Sequence, residues 1–273
     1  MINEISITDS EFLQLVDLMK SRYGINLSQK RNLIVGRLQN HLHRSHYTSF
    51  SDFFEDVEAD KTGEMVNLLL NKLTTNHTYF MREMEHFNYF RDTVIPHIMS
   101  TEKTKDMRVW SAGCSSGEEP YMIAMILADY FGVNKKGWDT KILATDISDR
   151  VLSMAADGKY MTEGLSVLPE EWRKKYFTKV DEDYEQIATS LRNEITFRKF
   201  NLMTKVFPFK KQFHIIWCRN VMIYFDVPTK IALVDRFYEY TMPGGYLFIG
   251  HSESLSRSET KYKYIAPAIY RKE

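Results

Sequence analysis

The sequence contains little cysteine and no long apolar run. Its 273 residues include two cysteines, Cys114 and Cys218, without CxxC spacing or a nearby histidine cluster, so a structural zinc or a disulfide framework lacks ligands. No uninterrupted apolar stretch reaches the length of about 18 residues that a membrane span needs. The opening MINEISITDSEF contains acids where a secretory signal has a basic region. We therefore expect a protein of the reducing cytosol that does not insert into a membrane.

Net charge is also absent, since the formal charge is +0, but the charges are unevenly distributed. Residues 20–51 contain six Lys or Arg, three His and no acid, and the stretch that follows is mostly acidic. Arg37, His41 and Arg44 recur in the basic stretch at helical spacing. Such a stripe either attracts an acidic partner or is an ordinary solvated helix face. The residues alone leave both interpretations open.

The hydrophobic pattern divides the chain into two parts. Residues 1–75 show apolar positions at helical spacing and predict an all-helical domain of four short helices. Residues 76–273 alternate from about Arg108 between strand-like and helical segments, which is typical of a doubly wound parallel sheet. Within this part, residues 176–200 are charged and β-prone and predict a small antiparallel insertion.

Four strand-like apolar runs each end in a small or polar residue, namely Gly113, Asp146, Asn201 and Asn220. Parallel α/β sheets bind ligands in the crevice beyond the carboxyl ends of their strands. The four ends therefore predict one shared pocket.

The first strand-to-helix turn, AGCSSGEEPY, combines Gly113 and Gly117 with two acids, Glu118 and Glu119. Carboxylates at this position would repel the pyrophosphate of a dinucleotide and suit a cationic ligand. S-adenosylmethionine carries a sulfonium and an ammonium against one carboxylate, so it fits this loop and NAD does not. Alternatively, both acids only favour the start of a helix.

Polar groups at the other strand ends predict the remaining cofactor contacts. Asp146 can accept hydrogen bonds from both ribose hydroxyls, although an acid there could also cap the next helix. Asn201 and Asn220 can read an adenine edge or can simply form turns.

A second group of candidate residues precedes the sheet, in LTTNHTYFMRE. The spacing of Thr78 and Arg82 predicts that they share one helical face, close to Asn76. Arg82 could bind a carboxylate through two hydrogen bonds.

With LTTNHTYFMRE, VWSAGCSSGEEPYMIA, ATDIS, FNL and CRNVMIYF in this order, the chain resembles the chemotaxis receptor methyltransferases of the CheR family. The resemblance implies a Rossmann-like class I methyltransferase sheet with an all-helical N-terminal domain and a small antiparallel β subdomain. It also implies methyl transfer from S-adenosylmethionine to glutamate side chains on the cytoplasmic helices of chemoreceptors. The products would be glutamyl methyl esters and S-adenosylhomocysteine.

The resemblance further implies roles for individual residues. Arg82 and Tyr224 would be catalytic, and the basic second helix would dock the receptor through Arg37, His41 and Arg44. The cofactor would contact Asn76, Thr78, Arg82, one or both of Glu118 and Glu119, Asp146, Asn201, Leu202, Arg219 and Asn220. We expect a cytoplasmic monomer without a metal ion or a nucleic-acid partner.

The sequence departs from the family pattern in one stretch. Members that tether to a receptor's C-terminal pentapeptide share a glycine-rich loop in the β subdomain, but this chain has TKVDEDYEQIATS there. We therefore expect pentapeptide-independent action. Two alternative functions stay open, a nicotinamide-dependent oxidoreductase and a non-catalytic S-adenosylmethionine-binding signalling module.

Overall fold

A computed structural model of the chain describes residues 5–132, 135–256 and 258–273. The chain divides into two compact units. The first comprises Met1–Asn76 and Tyr224–Thr229, and the second comprises His77–Ile223 and Lys230–Glu273. Among the described residues, no helix is both long enough and apolar enough to cross a bilayer.

Residues 5–76 of the first unit form four helices, as the apolar spacing predicts: α1 (Asp9–Tyr23), α2 (Arg31–Arg44), α3 (Phe50–Ala59) and α4 (Glu64–Leu73). Glu11 joins two of them. One of its carboxylate oxygens completes a capping box with Thr8 at the start of α1, and the other accepts two 2.7 Å hydrogen bonds from Ser51 in α3. The side chains that meet in the core are fully buried: Leu15, Met19, Ile34, Leu38, Leu42, Phe50, Phe53 and Leu69.

The second unit alternates helices and strands. Its elements, with the strands β1 to β10 and the helices α5 to α11 in chain order, are α5 (Met84–Tyr89), α6 (Ile95–Thr101), β1 (Val109–Ala112), α7 (Glu118–Phe131), β2 (Ile142–Asp146), α8 (Asp149–Asp157), β3 (Lys159–Met161), α9 (Glu170–Tyr176), β4 (Phe177–Lys179), β5 (Tyr184–Ile187), α10 (Thr189–Arg192), β6 (Ile195–Lys199), β7 (Phe213–Cys218), α11 (Val227–Tyr240), β8 (Thr241–Ile249), β9 (Lys263–Ala266) and β10 (Ile269–Arg271). A π-helical turn, Phe90–Val94, joins α5 to α6. The first turn of α11 lies in the first unit.

In the described part of the chain, the main sheet has seven strands in the order β6-β2-β1-β7-β8-β10-β9. The strands β6, β2, β1, β7 and β8 are parallel, and β10 returns antiparallel to β8. The four strands whose ends we selected in the sequence are adjacent, and their carboxyl ends lie at one edge of the sheet. The expected doubly wound sheet is therefore confirmed.

The small antiparallel sheet has the order β3-β5-β4 and extends from Lys159 to Ile187. These bounds differ from the predicted 176–200. The last part of the predicted segment, ITFRK, forms β6 and pairs in parallel with β2. Its charged side chains suggested an insertion, but β6 is an edge strand of the main sheet, where charge is tolerated.

The core of the second unit is built on β7, whose six side chains are all buried. Trp217 stacks on Phe248 at a ring distance of 4.2 Å and on Phe87 at 5.0 Å. A strand with helices on both faces needs this continuous apolar run. The stacking of Trp217 near the end of β7 fixes the position from which the polar segment after Cys218 begins.

Candidate active site

The turn between β1 and α7 requires both of its glycines. Gly113 and Gly117 have φ values of 95° and 96°, in the left-handed region that side chains disfavour. A Cβ at Gly113 would lie 2.4 Å from Val221, and one at Gly117 would lie 2.9 Å from Ala155. The glycines therefore let the loop pack closely on neighbouring segments at the carboxyl edge of the sheet.

The two acids at the start of α7 have different partners. Glu118 is buried and accepts a hydrogen bond from Ser116 Oγ at 2.8 Å. Glu119 accepts one from Ser111 Oγ at 2.7 Å and forms an ion pair with Arg219 Nη1 at 3.1 Å. Burial raises the pKa of both carboxyl groups, although the Arg219 charge opposes the rise in the pKa of Glu119. Glu118 thus has no cationic side chain among its hydrogen-bond partners in the described chain.

Asp146 at the end of β2 connects two loops. Its Oδ2 accepts a hydrogen bond from Ser115 N at 2.9 Å, and its Oδ1 accepts one from Ser148 N at 3.0 Å. The side chain that caps α8 is that of Ser148, so the alternative of a helix-capping Asp146 is wrong. Burial raises the pKa of Asp146 as well.

These three carboxyl groups test whether the site suits S-adenosylmethionine. A raised pKa means that burial penalises the negative charge more than the present partners stabilise it. A cation placed beside Glu118, Glu119 and Asp146 would offset that penalty. A ligand with a sulfonium and an ammonium group fits this set of groups.

Arg219, directly after β7, is held by acids. Its Nε and Nη2 donate to Glu83 Oε2 at 3.2 and 3.1 Å, its Nη1 donates to Glu119, and its Nη2 also donates to the Arg82 carbonyl at 2.5 Å. The side chain is only 4% exposed. Within the described chain these bonds use four of the five guanidinium N–H groups, so Arg219 mainly organises the site.

Asn220 is fixed at its main chain and at its side chain. Its φ of 58° is left-handed, its N–H donates to Glu253 Oε2 at 3.0 Å, and its Nδ2 donates to Glu83 Oε1 at 3.3 Å. Asn201 instead accepts a hydrogen bond at Oδ1 from Met203 N at 2.9 Å, in a turn that contains Leu202. The turn-forming alternative therefore describes the geometry of Asn201.

The expectation that Thr78 and Arg82 share a helical face is wrong. The described chain has no helix between α4 and α5, and Met81 and Glu83 have positive φ values of 68° and 54°. The segment is a turn, in which Arg82 Nη1 donates to the His77 carbonyl at 2.8 Å. Thr78 is half-buried in the same irregular segment.

Asn76 and Tyr224 belong to the first unit, whereas the residues above belong to the second. Asn76 Oδ1 accepts a hydrogen bond from Thr74 Oγ1 at 3.2 Å. The Tyr224 hydroxyl donates to the Thr75 carbonyl at 2.9 Å. Both residues therefore help to order the end of the 1–76 segment.

The three predicted docking residues on α2 have different surroundings. Arg37 donates to the carbonyls of Lys72 and Thr74 and to Thr75 Oγ1, at 2.9 to 3.2 Å, and so caps the C-terminal end of α4. His41 packs on the Phe53 ring, and burial lowers its pKa. Arg44 is exposed. Of the three residues in the basic stripe, Arg44 is therefore the one whose side chain is exposed to solvent.

Sequence reasoning missed the acids that organise the segment after β7. Glu83 and Glu253 lie far along the chain from Arg219 and Asn220, and no local pattern connects them. Glu83 also has ligand atoms within 4.8 Å of those of His86 and His251. The Glu83 carboxylate already accepts hydrogen bonds from the Arg219 and Asn220 side chains and from the main-chain N–H of His251. We therefore interpret this cluster as a hydrogen-bond network.

Two family models match this chain in succession. The one described as the CheR methyltransferase all-alpha domain matches residues 10–74. The one described as the CheR methyltransferase SAM binding domain matches residues 76–270. Together they cover nearly all of the sequence.

Named relatives are similar over the same length. The chemotaxis protein methyltransferase of Borreliella burgdorferi is 40% identical over 274 residues, with 98% of this chain and 96% of the relative covered. The chemotaxis protein methyltransferase of Escherichia coli is 34% identical, with 99% and 93% covered. A probable chemotaxis protein methyltransferase of Rhizobium etli is 35% identical, with 93% and 100% covered. The chain therefore belongs to the CheR methyltransferase family and is an S-adenosylmethionine-dependent chemotaxis protein methyltransferase.

Proposed function

We propose that this protein methylates glutamate side chains of chemoreceptors in the cytoplasm, forming glutamyl methyl esters and S-adenosylhomocysteine. The observation that carries the proposal is the set of three carboxyl groups at the carboxyl edge of the sheet whose pKa is raised by desolvation: Glu118, Glu119 and Asp146. Such a site favours a cationic methyl donor over an anionic dinucleotide. The names of the relatives support chemotaxis as the process.

The chemistry needs little from the protein besides binding and alignment. S-adenosylmethionine supplies a methyl group that is already activated by its sulfonium. A receptor glutamate with a pKa of about 4.3 is ionised at neutral pH, so no general base is needed. Arg82 and Tyr224 orient the incoming carboxylate. Its attacking oxygen must come within about 3 to 3.5 Å of the methyl carbon of the cofactor, with water excluded.

The remaining site residues bind the cofactor in this proposal. Glu118 provides the counter-charge, and Asp146 accepts the ribose hydroxyls. The adenine is read by the Asn201 turn with Leu202, beside Asp146 in the strand order, and Asn220 contacts the cofactor from the end of β7. Asn76, Thr78 and Arg82 also contact the cofactor. Glu119 and Arg219 hold the binding residues in position.

Replacing Glu118 by Gln should raise the Kd for S-adenosylmethionine about tenfold, since a buried negative charge beside a cation is lost. Stability should change little, because Gln still accepts a hydrogen bond from Ser116. Glu119→Gln is the matched control: it removes one of the two acidic partners of Arg219 and should lower the melting temperature. Calorimetric titration measures the Kd, and thermal unfolding measures the melting temperature. An unchanged Kd in Glu118→Gln would remove Glu118 from the cofactor site.

Replacing Tyr224 by Phe should reduce the turnover number about tenfold, equivalent to about 1.4 kcal/mol in the barrier. The cofactor Kd should stay within about twofold, because in this proposal the hydroxyl exchanges the Thr75 carbonyl for the incoming carboxylate as its acceptor. Steady-state kinetics at saturating cofactor measure the effect. Tyr184→Phe, an exposed tyrosine of β5, serves as the control and should behave as wild type. Full turnover in Tyr224→Phe would exclude Tyr224 from the mechanism.

The domain roles are part of the same proposal. Residues 1–75 form the receptor-docking domain, with Arg44 as the exposed cation and Arg37 and His41 supporting α2. Residues 76–273 form the methyltransferase domain. The whole protein acts as a monomer. Docking does not require the receptor's C-terminal pentapeptide, because the turn between β4 and β5 contains Asp181, Glu182 and Asp183 and no glycine. A measurable complex with that peptide would overturn this part.

The function is tested by incubating the protein with methyl-labelled S-adenosylmethionine and cytoplasmic receptor fragments, and then treating the product with base. We expect label in the receptor and its release as methanol, since carboxyl methyl esters are base-labile. A receptor fragment with its glutamates changed to alanine is the control. Cofactor binding without labelling would instead indicate a non-catalytic signalling module.

A further inference from the structure

A tyrosine of the small antiparallel sheet reaches the turn between β1 and α7. The hydroxyl of Tyr160, at the centre of β3, donates a hydrogen bond of 2.7 Å to the Ser116 carbonyl. A Cβ at Gly117 would lie 3.0 Å from the same hydroxyl oxygen, so glycine at this position lets the tyrosine approach the turn. Burial raises the pKa of Tyr160, and the charge of Glu118 raises it further. The hydroxyl therefore stays protonated and acts as a donor.

The ring of Tyr160 is held by aromatic neighbours. Phe80 packs against it edge to face at a ring distance of 4.9 Å, and Tyr121 does so at 6.2 Å. Phe80 also packs against Phe177 of β4, at 5.8 Å. The main chain of Tyr160 pairs with Glu185 of β5. Because these contacts orient the ring, the position of the hydroxyl is set by the packing of the small sheet.

Ser116 connects this hydrogen bond to a residue that we assign to the cofactor site. Its hydroxyl donates to the two carboxylate oxygens of Glu118, at 3.0 and 2.8 Å. The preceding residue has a separate anchor, since Ser115 N donates to Asp146 Oδ2 at 2.9 Å. Tyr160 therefore holds the side of the turn that leads to Glu118, and Asp146 holds the side that faces the ribose in the proposed function.

We propose that Tyr160 is a positioning residue, which orients Ser116 and through it the Glu118 carboxylate toward the cationic part of the cofactor. The inference rests on the cofactor role of Glu118 in the proposed function. It gives the small antiparallel sheet a part in cofactor binding. In this arrangement Tyr160 touches neither the cofactor nor the reacting carboxylate.

The first test is a double-mutant cycle on the Kd of S-adenosylmethionine, with Tyr160→Phe, Glu118→Gln and the double variant. Phenylalanine keeps the ring and removes the donor. Tyr160→Phe should raise the Kd about fivefold, as expected for the loss of one hydrogen bond. The double variant should bind about as weakly as Glu118→Gln alone, because residues that act through one group are non-additive.

Three outcomes of the cycle would overturn the proposal. Two of them are an unchanged Kd in Tyr160→Phe and a fully additive loss in the double variant. The third, an unchanged Kd in Glu118→Gln, would remove the cofactor role of Glu118 and this inference with it. Methyl labelling of receptor fragments tests the catalytic function independently of all three.

Tyr121→Phe is the matched control for stability. The Tyr121 hydroxyl also donates to a main-chain carbonyl at 2.7 Å, that of Ala155 in α8. Both substitutions thus remove one tyrosine hydrogen bond of the same length, and both should lower the melting temperature. Of the two, we expect Tyr160→Phe alone to weaken binding of S-adenosylmethionine. Equal increases in Kd would indicate a general loss of stability and contradict the proposal.

A second ligand separates the orientation of Glu118 from a change in the whole site. Adenosine contains the base and the ribose of the cofactor but lacks the sulfonium and the ammonium group. Its Kd should agree within about twofold between wild type and Tyr160→Phe, because Asp146 holds the ribose side of the turn separately. A Kd for adenosine that rises as much as the Kd for S-adenosylmethionine would overturn the proposal.

Discussion

Replacing Arg219 by Met should lower the free energy of unfolding by roughly 3 to 5 kcal/mol, the cost of breaking a buried ion pair by removing one partner. Arg219 lies between Glu83 and Glu119, at 3.1 Å from each. Without the guanidinium, the two carboxylates, which are only 14% and 13% exposed, are left with no cation between them. Chemical denaturation at pH 7, followed by fluorescence, measures the change.

Two comparisons make this prediction specific. Arg82→Met, next to the same network, removes an arginine whose guanidinium donates to the His77 carbonyl, and it should cost less than 1 kcal/mol. Adding Glu119→Gln to Arg219→Met should recover part of the lost stability, because one unpaired buried charge disappears. Equal losses in Arg219→Met and Arg82→Met would show that the network contributes no special stability.

The sheet could be predicted because its strands have strong local signals. A strand covered on both faces needs a continuous apolar run, and FHIIWC of β7 is such a run, buried along its whole length. The helix that follows β1 extends from Glu118 to Phe131, and the sequence marks both of its ends with a glycine, Gly117 and Gly132. Parallel order and adjacency of the strand ends follow from the alternation of strand and helix.

Other features could not be predicted because they depend on contacts between distant parts of the chain. The segment before α5 has a helical spacing of polar residues, but Glu83 adopts a left-handed conformation where its carboxylate binds Arg219 and Asn220. β6 has the composition of a surface hairpin and is placed by its pairing with β2. In both cases tertiary hydrogen bonds override the local preference.

The same limit applies to charge in the site. The sequence shows that Glu118 and Glu119 are adjacent, and it cannot show which one is neutralised. That difference arises because Arg219 pairs with Glu119, whereas Glu118 has the Ser116 hydroxyl. Which of Glu118 and Glu119 binds the cofactor therefore depends on tertiary contacts and not on the local sequence.

Acidification from pH 6.5 to pH 4 should destabilise the protein through His86, with a maximum loss of about 3 kcal/mol from this residue. His86 is 1% exposed. Burial, together with the charge of Arg219, lowers its pKa to about 4, although Glu83 opposes the shift. The unfolded chain takes up a proton near pH 6.5, whereas the folded protein does so only near pH 4. The stabilisation is thus complete above pH 6.5, decreases as the pH falls through this window and is lost below about pH 4.

The contribution of His86 can be separated from that of other titrating groups. His251 and Glu83 also face His86, and burial lowers the pKa of His214 elsewhere in the same unit. His86→Phe removes one titration and keeps a ring against Phe248, so its free energy of unfolding should decrease less steeply between pH 6.5 and pH 4.5 than that of wild type. His46→Gln, an exposed histidine, should keep the wild-type slope. Identical slopes in wild type and His86→Phe would mean that His86 is protonated in the folded protein, and the charge balance around Arg219 would then include one more cation.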